Sequence, residues 1–193
     1  MTVYFMRSLK KISTIFIIIS IVLVVLNILI YPDVNKIVIK DVVISNENGE
    51  NYVSFNQDIS LDFTIREAID NGIPLAFKIR LDIVEKNDIL PTKTIKREVR
   101  YYQIEYKSLR KIYKITDIND EKYEYKNMGE AIKKIIKVKN FKFSFIDRNL
   151  DYELWLTVSL DRKKLPKPLQ VNYFDRTWYM SSEKIIQKLR KIQ

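Results

Sequence analysis

The chain contains no cysteine and no histidine. Disulfides are therefore excluded, and so are thiolate and imidazole metal sites. Any catalyst built from this sequence would have to work with carboxylates, lysine, tyrosine or serine. Glycine is scarce, at 3 among 193 residues, and the first alanine is Ala68. Lysine, isoleucine and asparagine are over-used along the whole length, which reads as compositional drift and not as a selected patch. The net charge of +10 fits that drift, because basic residues are interleaved with acidic ones. They read as solvated surface, so no nucleic-acid partner is expected.

One long stretch lacks charge altogether. From Ile12 to Tyr31 only Ser13, Thr14, Ser20 and Asn27 interrupt Ile, Val, Leu and Phe. A helix of that length spans about 30 Å, the thickness of a bilayer's hydrocarbon core. A cleaved signal peptide has a shorter apolar region and then small residues; here no Ala or Gly follows before Gly49. The run therefore reads as an uncleaved signal anchor. Arg7, Lys10 and Lys11 precede it, while Asp33, Lys36, Lys40 and Asp41 cancel after it. The positive flank stays in the cytoplasm, which exports the rest. The expected division is 1–36 for the cytoplasmic N-terminus and single transmembrane helix, and 37–193 for one β-rich domain. Beyond the anchor there is enough chain for one domain with a sizeable core.

Alternation of apolar and polar residues dominates that domain, and period two means strands. It runs through Ile59, Leu61, Phe63 and Ile65; through Leu75, Phe77, Ile79, Leu81 and Ile83; through Phe141, Phe143 and Phe145; and through Leu154, Leu156, Val158 and Leu160. One greasy and one wet face per strand suits an antiparallel sheet covered on one side. Ile37–Ile44 is a further strand, and Asn48-Gly49 signals a hairpin after it. Val99–Tyr106 and Lys111–Thr116 make a second hairpin, with Tyr102, Ile104 and Tyr106 on one face, and Tyr123 and Tyr125 mark another short strand. A turn of helix is expected over Arg66–Asn71, stopped by Gly72 and Pro74. A better one is expected over Met128–Val138, capped by Asn127 with Glu130 three residues on. A C-terminal helix from Glu183 would place Ile185, Ile186, Leu189 and Ile192 on one side. The fold class is mainly β: an antiparallel β-sandwich-like or two-layer α+β domain with one or two short helices, preceded by a single transmembrane helix.

No catalytic constellation stands out. Ser181-Ser182-Glu183-Lys184 spells Ser-x-x-Lys, but the Ser-Asp-Asn and Lys-Thr-Gly partners of that nucleophile are missing. A strand end is the better reading. Asp117, Asn119 and Glu121 have the spacing of a calcium loop without its glycine or closing glutamate, so a turn between strands is preferred. No cofactor or metal is called for. The candidates for a partner surface are Pro166, Lys167, Pro168 and Gln170, whose segment reads first as a rigid connector and alternatively as a recognition loop, and the aromatics Trp155 and Trp178, which either cover a helix or mark a partner surface.

One resemblance covers nearly the whole exported part. Tyr106, Leu109 and Tyr113, then Glu130-Ala131-Ile132, Tyr152, Leu160-Asp161, Leu165-Pro166-Lys167-Pro168-Leu169-Gln170-Val171, Trp178 and Ser181-Ser182 follow in order. This resembles the proteobacterial domain-of-unknown-function family numbered 4390. The segment Glu67–Leu75 resembles its first half. The resemblance implies a Gram-negative inner-membrane or periplasmic location and no assigned activity. It also implies a gene neighbour encoding a nitrogen-regulation-type membrane sensor kinase. The tail from Lys184 departs from the family, being Lys- and Ile-rich where aromatics are usual. The expected function is a non-enzymatic, membrane-tethered periplasmic protein that binds an envelope partner such as that kinase. An apolar-ligand or lipid carrier is the alternative, and a carboxylate-dependent hydrolase ranks third.

Overall fold

The computed structural model describes residues 17–22, 35–48, 50–85, 92–144, 152–170 and 176–189. The chain divides into two units, Met1–Val34 and Asn35–Gln193. Of the first, residues 17–22 are helical, and Ile17, Ile18, Ile19, Ile21 and Val22 are all exposed. Among the described residues no helix is long and apolar enough to cross a membrane. Most of the expected span, Ile12–Tyr31, lies outside them.

The second unit is mainly β, with nine strands among its described residues. They are β1 (Lys36–Glu47), β2 (Glu50–Ser60), β3 (Leu75–Glu85), β4 (Lys93–Lys107), β5 (Ile112–Thr116), β6 (Lys122–Tyr125), β7 (Lys137–Phe143), β8 (Tyr152–Leu160) and β9 (Ile185–Leu189). Three helices accompany them: α1 (Phe63–Asp70), α2 (Met128–Ile136) and the single turn α3 (Lys167–Gln170). A three-stranded sheet has the order β1-β2-β7, and a six-stranded sheet the order β6-β5-β4-β3-β8-β9. All pairings are antiparallel.

Both sheets contribute to one hydrophobic cluster. Val53 and Phe55 enter from β2, Phe141 and Phe143 from β7, and Phe77, Ile79, Leu81, Leu154 and Leu156 from the larger sheet. Strand β8 shows why the pattern was readable. Tyr152, Leu154, Leu156, Val158 and Leu160 are buried, and every residue between them is half-buried. Each large apolar side chain so placed contributes about 1.5–3 kcal/mol. Phe145 lies outside the described residues. Strand β3 departs from one-sided covering: Ala76, Asp82 and Val84 are buried as well as the apolar set. It is central in its sheet, and its outward face is buried at those three positions while Lys78 and Arg80 there are half-buried.

The alternation at Ile59, Leu61, Phe63 and Ile65 does not continue as a strand. Strand β2 stops at Ser60, and α1 begins at Phe63, three residues before the expected helix. The cause is Asp62. Its Oδ1 accepts the backbone N–H of Ile65 at 2.8 Å, an N-cap, while Asn35 Nδ2 donates to its Oδ2 at 2.8 Å. Ile65, Ala68 and Ile69 then fall at helical spacing and are buried, which leaves Phe63 76% exposed. The helix ends as expected at Gly72, whose φ is +84°. Ile73 N–H donates to Ala68 O at 2.9 Å and Gly72 N–H to Ile69 O at 2.8 Å, a Schellman motif that satisfies otherwise orphaned carbonyls.

Helix α2 is capped by Asn127, whose Oδ1 accepts from Glu130 N–H at 2.8 Å. It ends two residues before the expected Val138, because Lys137 is already extended. Val138 instead pairs with Phe55 on β7. The expected C-terminal helix is absent from residues 185–189, which form β9 against β8. An unpaired edge of β8 needs backbone partners, and Ile185 and Leu189 pack on the core from the strand. The hairpin at Asn48 is present: Glu47 pairs with Glu50, and Asn48 has φ +54°.

Candidate interaction surfaces

The segment after β8 is clamped from within. Asp161 Oδ1 accepts from Lys163 N–H at 3.2 Å and caps a 3-10 turn over Arg162–Lys164. Gln170 donates its amide to Lys163 O at 3.1 Å and also to Leu165 O. Arg162 Nη2 donates to Gln170 O at 3.0 Å. Leu165 is 3% exposed and anchors the loop in the core. Two prolines with fixed φ complete the bracing. The outcome is a ridge on which Lys163, Lys164, Pro166, Lys167 and Pro168 are all exposed. Of the sequence candidates, Pro166, Lys167 and Pro168 are therefore presented to solvent, whereas the Gln170 amide is spent on the ridge's own backbone.

The two tryptophans part company. Trp178 is 3% exposed and belongs to the core, so it offers no surface. Trp155 is half-buried on the outward face of β8. Its Nε1 donates to Glu153 Oε2 at 2.9 Å, and Lys184 Nζ lies 3.4 Å from its ring centroid, within cation–π range.

Register places Trp155 in a row that sequence reasoning missed. Arg97, Asp82, Trp155 and Ile186 stand side by side across β4, β3, β8 and β9. Asp82 is buried at 5% exposure. Arg97 Nε donates to its Oδ1 at 2.6 Å, and Arg80 Nε lies 3.4 Å from Oδ2. A buried carboxylate requires such partners. Beyond the row of Val99, Arg80 and Thr157 lies one of Tyr101, Lys78, Ser159 and Ser181, with Lys164 Nζ 3.6 Å from the Tyr101 ring centroid. Around Tyr101 and Trp155 the outward face thus carries Lys78, Arg80, Arg97, Lys164, Lys184 and Lys188 against Asp82 and Glu153, while Glu105 and Glu124 share the face toward β6. Basic residues that look scattered in sequence are gathered here by strand pairing. The signal was in the alternate residues Lys78, Arg80 and Asp82 of β3 and Glu153 and Trp155 of β8, read only as wet.

Elsewhere a cleft of about 400 Å³ opens between the β5–β6 turn and the α2–β7 junction, lined by Tyr102, Asp117, Glu121, Lys134 and Lys137 among others. Its walls carry charges of both signs. Asp117 there forms a turn, accepting on Oδ1 from Asn119 N–H at 2.9 Å and Glu121 N–H at 3.1 Å. Behind the cleft Gln57 is fully buried. Its Nε2 donates to Tyr102 Oη at 3.1 Å and to Ile135 O at 2.6 Å. Burial pushes the Tyr102 hydroxyl pKa well above its ordinary value, with the Gln57 bond acting in the opposite sense. Tyr102 therefore stays protonated.

The Ser-x-x-Lys residues are engaged separately. Lys184 sits on Trp155, and Ser181 Oγ donates to Ser182 O at 3.2 Å. Ser182 Oγ accepts from Val158 N–H at 3.0 Å and donates to Glu183 O at 2.9 Å. These serines stitch residues 181–183 to β8, and no helix follows for them to cap. Among the described residues, no group of acidic side chains is arranged to hold a metal ion.

No curated protein and no solved structure matches the chain. The profile of one family, Domain of unknown function (DUF4390), matches residues 34–187. That range holds the ridge, both tryptophans and the basic sheet face apart from Lys188, and the chain belongs to this family.

Proposed function

We propose that the chain is a single-pass protein of a bacterial inner membrane whose exported β-domain works by binding another envelope protein, not by catalysis. The observation that carries this reading is the ridge at 163–168. Its backbone is held by Gln170, Arg162 and Asp161, and its side chains are turned outward. A preorganised loop loses little conformational entropy on binding, and its lysines suit an acidic partner surface. The tether rests on the uncharged run Ile12–Tyr31 and its basic N-terminal flank. A membrane sensor kinase fits as a partner class.

The test is site-specific photocrosslinking in intact cells. A crosslinker at Lys167 is expected to capture one envelope protein that a crosslinker at Lys122, exposed on β6, does not capture. Lys167→Glu should weaken capture with a crosslinker at Pro166. Equal capture from both positions, or capture of lipid alone, overturns the proposal. A C-terminal reporter active only in the cytosol overturns the topology.

A further inference from the structure

We propose that the outward face of the six-stranded sheet docks on the anionic headgroup surface of the membrane that carries the tether. This rests on the tethered reading above and concerns the sheet face beside the protein-binding ridge, with Lys164 common to both. Three observations converge.

The first is charge. Six basic side chains, Lys78, Arg80, Arg97, Lys164, Lys184 and Lys188, share the face through strand register and the two cation–π contacts. Asp82, Glu153, Glu105 and Glu124 share the face with them, and the last two are paired with Lys107 and Arg110. Asp82 is buried under Arg97 and Arg80, and Glu153 is engaged by the Trp155 indole.

The second is the kind of apolar group interleaved with that charge. Tyr101 is 37% exposed and Ile186 48% exposed, and Trp155 lies beside Ile186. Amphipathic aromatics among lysines are the groups that settle at the headgroup level of a bilayer. An acidic protein would have matched the charge alone. Tyr101 and Trp155, each under a lysine, together with Ile186 form a set that a lipid interface satisfies better.

The third is connectivity. Only Pro32, Asp33 and Val34 separate the uncharged run from Asn35, and four residues extend to about 14 Å at most. Asn35 is itself fixed to the domain. It exchanges hydrogen bonds with Asp62 and donates to Thr177 O at 3.3 Å. Two residues on, Tyr179 is covered by Arg162, at the ridge that sends Lys164 over Tyr101. The chain thus enters the domain close to one end of the basic face, and so short a tether keeps the local lipid concentration high.

The experiment uses the full chain in nanodiscs of phosphatidylcholine, with or without phosphatidylglycerol, some of it brominated on the acyl chains. Trp155 fluorescence should be quenched in the anionic discs and little in the neutral ones, and added salt should relieve the quenching. Trp155→Phe should abolish the signal, because Trp178 is buried. Combined Lys164→Glu, Lys184→Glu and Lys188→Glu, which spare the Asp82 pairs, should reduce docking by about fivefold per residue. Equal quenching in both discs, or none in either, overturns the proposal. So does a crosslinker at Ile186 that captures protein in place of lipid. If the chain fails to enter discs at all, the tethered reading falls. Docking is then read from co-sedimentation with vesicles of the same two compositions, where no difference overturns it.

Discussion

Replacing Gln57 with leucine tests how α2 is joined to β7. The helix runs into the strand with no intervening loop, so its last carbonyls have no helical donors. Gln57 Nε2 supplies one of them, to Ile135 O, and its second hydrogen goes to Tyr102 Oη. Leucine removes both bonds. The buried Ile135 carbonyl loses its side-chain donor, at about 1–3 kcal/mol, and the buried Tyr102 hydroxyl oxygen loses the hydrogen it accepts. Opposing this, Gln57 Oε1 has no partner among the described residues, so its removal recovers part of that sum and adds apolar contact. The balance is a loss of about 2 kcal/mol. For a domain of this size that lowers Tm by about 4–8 °C, measured by thermal circular dichroism with urea titration for ΔG. Tyr102→Phe keeps the ring stacked on Phe77, whose centroid lies 5.0 Å away, and removes only the hydroxyl. The two substitutions should couple by about 0.5–1.5 kcal/mol in a double-mutant cycle. A stable or stabilised Gln57→Leu variant would refute the reasoning, because the unpaired Oε1 would then outweigh both donated bonds.

Asn127→Ala should cost about 1 kcal/mol through loss of the α2 cap, read as a lower urea midpoint at unchanged slope. Gly72→Ala should cost about 1 kcal/mol. Space is not the reason, since the nearest atom to an added Cβ is Tyr106 O at 3.8 Å; the φ of +84° is, so Gly72→Asn should be milder than Gly72→Ala by the same melt. Tyr113 donates to Asp70 Oδ1 at 2.5 Å. Burial first, then the Asp70 hydrogen bond and charge, push its pKa up to about 12. The folded state thus holds the proton more tightly than the unfolded state, near pH 10. Stability from this group is full below pH 10 and falls as pH rises through 12. Tyr113→Phe should flatten that alkaline decline in pH-dependent urea melts.

The architecture divides the lysines in a way that bears on function. Composition alone treats them as one solvated population. Strand pairing sends some to the basic face, where Lys164 and Lys184 lie on aromatic rings. Others, such as Lys142 with Glu50 at 2.9 Å, form ordinary exposed ion pairs. Exposed pairs of the second kind add little to stability. The first kind makes a surface with a sign and a chemistry of its own.

What the sequence determined by itself was whatever depends on near neighbours. Period-two burial along β8, the Asn127 cap, the Gly72 stop and the Asn48 hairpin are each set within a few residues, and each was legible. The Phe63 alternation misled because the period-two run masked the local Asp62 cap, whose second oxygen is held by Asn35, 27 positions away. The C-terminal stripe misled because helix and strand both bury Ile185 and Leu189, and only the open edge of β8 chose between them. The basic row through Asp82 and Trp155 was invisible for the same reason. Register between distant strands decides which side chains become neighbours, and register is a property of the packed sheet.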